Sequence, residues 1–159
     1  MRIAIAEDDP IALKLVSSSL AKWFEKRDFI VDIKHFGSGA DFIGIASRDT
    51  FDVVILDWHL PDRTGIEVLD WMKEYLKNLP TVVMVTQRQH EKDIIEALDQ
   101  GADDFISKPF SPSVLFARVF AAYRRRLFSS LREAKETELD FGSIVLDEIM
   151  RLPMSTASR

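Results

Sequence analysis

The chain has 159 residues, 47% of them hydrophobic and 30% charged, with a net charge of −5 at pH 7. That composition excludes a disordered or fibrous chain, and the acidic balance argues against a nucleic-acid surface within this stretch, since phosphate backbones select clustered Lys and Arg. No cysteine is present, which excludes disulfides and thiolate metal sites.

The N-terminus, Met1-Arg2-Ile3-Ala4-Ile5, runs straight into acidic residues without an apolar leader core or cleavage site. The longest apolar runs are strand-sized, so no membrane span is expected and the protein is expected in the cytosol. Short apolar runs then alternate with helix-periodic segments, the pattern of a doubly wound α/β sheet. In chain order the pattern predicts a strand at 2–7, helix 10–26, strand 29–36, helix 39–48, strand 52–57, helix 64–77, strand 80–86, helix 90–100, strand 103–107 and helix 111–128. Asp9 caps the first helix ahead of Pro10, where a missing N–H costs nothing. Ile11, Leu15, Leu20, Trp23 and Phe24 are expected to form its buried stripe. Gly65, Gly101 and Gly37-Ser38-Gly39 read as turn punctuation, as do Asp62 and Arg63.

Beyond Tyr123-Arg124-Arg125-Arg126 the α/β pattern stops. The expected organisation is an α/β domain over 1–127, a charged linker over 128–137, and over 138–159 either the partial start of a further domain or a short β extension. The stretch Glu138 to Asp147 has the look of a small hairpin turning at Gly142. The basic run 124–126 reads equally as a helix end complementing the macrodipole and as a nucleic-acid contact.

Three strand ends carry chemistry. Asp52-Val53-Val54-Ile55-Leu56-Asp57 reads as a doubly buried strand that lifts a carboxylate to the sheet rim, Glu7 and Asp8 follow the first strand, and Lys108-Pro109 follows the last. Ligand crevices of open α/β sheets lie outside the carboxyl ends of the strands, so these groups are expected to converge. A carboxylate is a nucleophile toward phosphorus once the crowded negative charge is neutralised. Mg2+ does this with carboxylates, waters, phosphoryl oxygens and a backbone carbonyl. Glu7, Asp8, Asp57 and the His59 carbonyl would supply that set, Lys108 would pair with a phosphoryl oxygen, and the Thr86 hydroxyl would meet another.

These motifs, namely Ala6-Glu7-Asp8-Asp9-Pro10, Leu56-Asp57-Trp58-His59-Leu60-Pro61 with Gly65, Val85-Thr86, and Gly101 through Phe110, resemble the CheY-like receiver domains of two-component response regulators over about residues 1–127. The resemblance implies a flavodoxin-like five-stranded parallel sheet in the order 2-1-3-4-5 with five helices. It makes Asp57 the phosphoacceptor, Thr86 and Lys108 the phosphoryl sensors and Phe105 an aromatic switch. It places Mg2+ on Glu7, Asp8, Asp57 and the His59 carbonyl, a cis peptide at Lys108-Pro109, and a sensor histidine kinase as phosphodonor. Such a domain is not an enzyme beyond catalysing its own phosphorylation and dephosphorylation. Gln87 and Arg88 follow Thr86 where the family usually has a small residue first, and the stretch between Asp8 and Asp57 is longer than usual. His59 and Arg88 fall where the family tunes the aspartyl-phosphate lifetime.

From position 89 to Arg126 the chain resembles the OmpR/PhoB subfamily, whose receivers pair through helix 4, strand 5 and helix 5. There Asp103 and Asp104 match acidic and Arg118 and Arg125 basic intersubunit partners, while Ile95, Leu98 and Phe116 fall on the apolar patch. A third ionic pair is replaced by Ile94 and Val114. The resemblance implies a phosphorylation-dependent homodimer and a winged-helix output domain that reaches DNA. The alternative is a stand-alone receiver acting by protein docking. An aspartyl-nucleophile phosphatase of the haloacid-dehalogenase type is disfavoured, because those enzymes resemble a pattern with a second Asp where His59 stands.

Overall fold

The computed structural model describes residues 1–26, 30–88 and 90–136. Five strands, β1 (Arg2–Ala6), β2 (Asp32–Phe36), β3 (Val53–Leu56), β4 (Thr81–Thr86) and β5 (Asp104–Ser107), form one all-parallel sheet in the order β2-β1-β3-β4-β5. Between and after them run α1 (Pro10–Glu25), α2 (Gly39–Ala46), α3 (Gly65–Tyr75), α4 (Glu91–Asp99) and α5 (Pro112–Glu136). Parallel strands need crossover helices, and helices on both faces explain why β3 and β4 are buried along their whole length while the edge strand β2 is not. No helix among the described residues is long and apolar enough to cross a membrane.

One core layer packs Phe42 of α2, Leu69 and Met72 of α3 and Ala97 of α4 on one sheet face. The other packs Val16, Leu20 and Phe24 of α1 with Leu115, Phe116 and Val119 of α5. The expected α1 stripe is corrected in its first half: Ile11 is 80% and Leu15 46% exposed, and Val16 is buried instead. At about 100° per residue, Ile11 and Leu15 lie on the opposite side of the helix from Leu20 and Phe24. Asp9 caps α1 as expected, its side chain accepting from the Ile11 N–H at 3.0 Å. Thr64 and Glu67 close a reciprocal capping box on α3.

The chain divides after Tyr123 into two units, and the sheet lies in the first. Helix α5 runs to Glu136, through most of the expected linker, because Ser113 through Glu136 contains neither Gly nor Pro to stop it. The expected hairpin at 138–147, with the rest of 138–159, lies outside the described residues.

Candidate functional site

Register decides which side chains meet. Ala6 pairs with Leu56, so Glu7 and Asp57 leave the sheet side by side; the Asp57 N–H still donates to the Ala6 carbonyl at 2.9 Å. Thr86 pairs with Ser107, and the Lys108 N–H donates to the Thr86 carbonyl at 2.8 Å. The four residues therefore share a cleft of about 280 Å³, with Asp8, Asp9, His59 and Gln87 on its walls. Glu7, Asp57 and Thr86 are buried, whereas Asp8 and His59 stand at the exposed rim.

Lys108 holds the centre. Its Nζ donates to Asp57 Oδ2 at 2.9 Å and to Glu7 Oε2. Burial pushes the Glu7 carboxyl above its ordinary range, and repulsion from Asp57 adds to this against the opposing Lys108. Burial disfavours the Lys108 cation, but bonds to Glu7 and Asp57 outweigh it and hold the ammonium above its ordinary value. Three carboxylates, Glu7, Asp8 and Asp57, thus face one lysine. The donor chemistry fits a hard divalent cation: carboxylate oxygens with water access at Asp8, and an excess of negative charge that Lys108 alone leaves uncompensated. Among the described residues no three acidic or imidazole groups already converge on one point, since Glu7 and Asp57 are both turned to Lys108.

The Lys108-Pro109 peptide is cis, as the resemblance implied. Phe105 is buried on β5 in the α2, α3 and α4 layer. The His59 ring is taken by Arg88, whose Nε donates to His59 Nε2 at 3.1 Å.

Around α4, β5 and α5, Ile95 and Leu98 are half exposed, and Leu98 lines a groove with Ile94 and Val114. Asp104 and Arg118 pair within the chain at 3.1 Å. Asp103 turns to the sheet, its Oδ2 accepting from the Val82 N–H at 2.8 Å. Phe116 is corrected outright: it is buried and stacks on Trp23 of α1, so the exposed apolar position at this end of α5 is Val114. Arg125 belongs to the second unit, Arg124–Arg159.

Three features lay outside the sequence reading. Gly65, taken as punctuation, packs so closely on the Asp57 carbonyl that a Cβ would overlap it. Its place in the receiver-like motif, eight residues after Asp57, was the sequence signal. Asp62 is more than a turn residue: it accepts from the Gly39 and Ala40 N–H groups, both at 2.8 Å, at the start of α2. Arg88 pairs with Asp93 at 2.8 Å across the loop into α4, a contact with no sequence signature.

The response regulator receiver domain family model matches residues 3–120. The transcriptional regulatory protein KdpE of Mycobacterium tuberculosis is 33% identical over 144 residues, covering 91% of this chain and 60% of KdpE. The phosphate regulon transcriptional regulatory protein PhoB of Escherichia coli is 45% identical over 76 residues, covering 46% of this chain and 33% of PhoB. The chain spans about 60% of the length of the curated relatives it matches across most of its own length. Among solved structures, the BeF3-activated receiver domain of DrrB superposes with a TM-score of 0.67 at 33% identity, covering 78% of this chain and 97% of that one. DrrB is described as a Thermotoga maritima OmpR/PhoB homolog. The chain belongs to the response regulator receiver domain family, and its relatives are regulators of the OmpR/PhoB type.

Proposed function

We propose that this receiver accepts a phosphoryl group on Asp57 from the phosphohistidine of a sensor kinase and uses the added charge to reshape its α4, β5 and α5 surface for pairing with a second copy. The observation that carries this reading is Lys108 Nζ at 2.9 Å from Asp57 Oδ2, at the meeting of three strand ends beside a buried threonine hydroxyl.

An Asp57 carboxylate oxygen attacks phosphorus as the phosphorus–nitrogen bond breaks, and the departing imidazole takes a proton from solvent. Glu7, Asp8, Asp57 and the His59 carbonyl would hold Mg2+, which supplies charge neutralisation between carboxylates and phosphoryl oxygens. Lys108 keeps its ammonium at the position where the new oxygens arrive. The Thr86 hydroxyl then turns to a phosphoryl oxygen, and Phe105 shifts behind it toward α4. A switch from 1:99 to 99:1 requires a differential interaction of about 5.5 kcal/mol.

In this reading 1–127 is the receiver, 128–137 connects it onward, and 138–159 begins a winged-helix output domain that carries DNA binding. The pairing surface is centred on Ile94, Ile95, Leu98 and Val114, with Asp104 and Arg118 at its rim. Acetyl phosphate with Mg2+ tests the phosphoacceptor: the chain gains one acid-labile phosphoryl group and Asp57→Asn gains none. Persistent labelling of Asp57→Asn refutes the assignment. Pairing is tested by light scattering with beryllofluoride and Mg2+, where Leu98→Asp is expected to remain monomeric.

A further inference from the structure

Arg88 stands two residues beyond Thr86, and its side chain reaches two other elements. Its Nη1 lies 2.8 Å from Asp93 Oδ1 in the first turn of α4. Its Nε donates to His59 Nε2 at 3.1 Å, and its guanidinium lies 4.7 Å over the Trp58 ring. Its backbone N–H donates to the Thr86 hydroxyl at 3.4 Å. Trp58 and His59 directly follow Asp57 in the chain, so one guanidinium joins the segment after the phosphoacceptor to the base of a helix. Only a planar fork of five donors that also stacks on an indole can hold a carboxylate and an imidazole together.

Asp93 fixes where that fork sits. Its side chain is 12% exposed against 37% for Arg88, and it does not line the Asp57 cleft. A carboxylate this buried depends on its partner to offset lost hydration. Its contact with Arg88 is the route by which it reaches the segment after Asp57.

We propose that Asp93 is a positioning residue for the Asp57 site: by holding Arg88 across Trp58 and His59 it keeps the loop after β4 closed on the loop after β3, and the first turn of α4 is freed when that hold breaks. The inference rests on Asp57 being the phosphoacceptor and adds a link from that site to α4. Breaking the link opens the cleft to small phosphodonors and loosens α4 without any phosphorylation.

The test compares the whole chain with Asp93→Asn and Arg88→Lys. Amide hydrogen exchange is followed first in the unmodified, metal-free protein. Asp93→Asn is expected to speed exchange at 58–59, 86–88 and 91–94 by roughly three- to fivefold, with β1 and β3 unchanged. Acetyl phosphate with Mg2+ should then label Asp93→Asn faster by a similar factor, and Arg88→Lys, which keeps the charge without the fork, should behave like Asp93→Asn. Unchanged exchange at 58–59 and 86–88, or faster exchange spread evenly over the chain, overturns the proposal. Failure of the wild-type chain to take label overturns the phosphoacceptor reading instead, while the exchange pattern still decides the link to α4.

Discussion

The α-carbon of Gly65 lies against the backbone carbonyl of Asp57, and the space a methyl group would need at position 65 is already filled by that oxygen and by the end of the Met84 side chain. The requirement is for room at the start of α3, beneath the proposed phosphoacceptor. Gly65→Ala must push the Asp57 backbone away, because a carbonyl cannot rotate aside as a side chain can. Overpacking of this kind costs about 1–3 kcal/mol. The expected outcome is a melting temperature lower by several degrees and labelling by acetyl phosphate slowed at least about tenfold. Calorimetry and initial labelling rates check the two effects separately.

Lys108 supplies a pH-dependent prediction. Lys108→Met leaves Glu7 and Asp57 buried together with like charge, and breaking such a pair costs about 3 kcal/mol at pH 7. The buried Glu7 carboxyl then binds protons more readily folded than unfolded. As pH falls from neutral toward the ordinary Glu value of 4.5, the folded state takes up protons first, so the deficit shrinks. In the wild-type chain the Lys108 contribution is complete below the ordinary lysine value of 10.5 and is lost only as pH rises above it, because its ammonium is held higher in the fold. Urea midpoints of both proteins between pH 5 and 8 (a range of about three units) measure the narrowing.

The strands and the strand-end acids were legible because double burial forces a short unbroken apolar run, and the residue after such a run has one place to go. Glu7 and Asp57 follow β1 and β3 by that rule, whereas Thr86 is the last residue of β4 and Lys108 follows the mixed strand β5. The first half of the α1 stripe was not legible, since Ile11 and Leu15 are apolar residues on the solvent side of their helix. Nor was the Arg88 and Asp93 pair, which spans a loop with no fixed period, or the inward turn of Asp103, which shows only when β4 and β5 lie side by side. Phe116 was misplaced because the aromatic surface that claims it belongs to α1, a helix nearly a hundred residues earlier in the chain.

At the opposite end of the sheet, the Thr81 hydroxyl on β4 is fully buried and has no hydrogen-bond partner among the described residues. An unmet buried donor costs about 1–3 kcal/mol, while its β-branched shape fits the strand. Thr81→Val keeps the shape and removes the unmet group. It is expected to gain about 1 kcal/mol in denaturant unfolding and to leave labelling at Asp57 unchanged.

Arg2 grips Asp49 with both terminal nitrogens, Asp32 with its Nε, and stacks on Phe51, while Lys34 adds a third bond to Asp49 at 2.9 Å. The hydrogen bonds from Arg2 and then Lys34 hold the Asp49 carboxyl well below its ordinary 3.8. A depressed carboxyl stabilises the fold above the unfolded value and stops doing so as pH falls through the folded one. Asp49→Asn is therefore expected to be less stable than wild type at neutral pH, with the two curves converging below about pH 3.8. Denaturant midpoints from pH 7 down to about pH 2.5 follow the convergence.

The carboxylate of Asp103 accepts from the Val82 amide while the Asp103 amide donates back to the Val82 carbonyl. Alanine scanning for residues that join two receivers will therefore score Asp103 as important for a reason internal to each copy, the seam between the fourth and fifth strands. Asn at that position, which retains one accepting oxygen, separates a lost seam from a lost partner, and a hot-spot map drawn without that control would misplace the centre of the proposed interface.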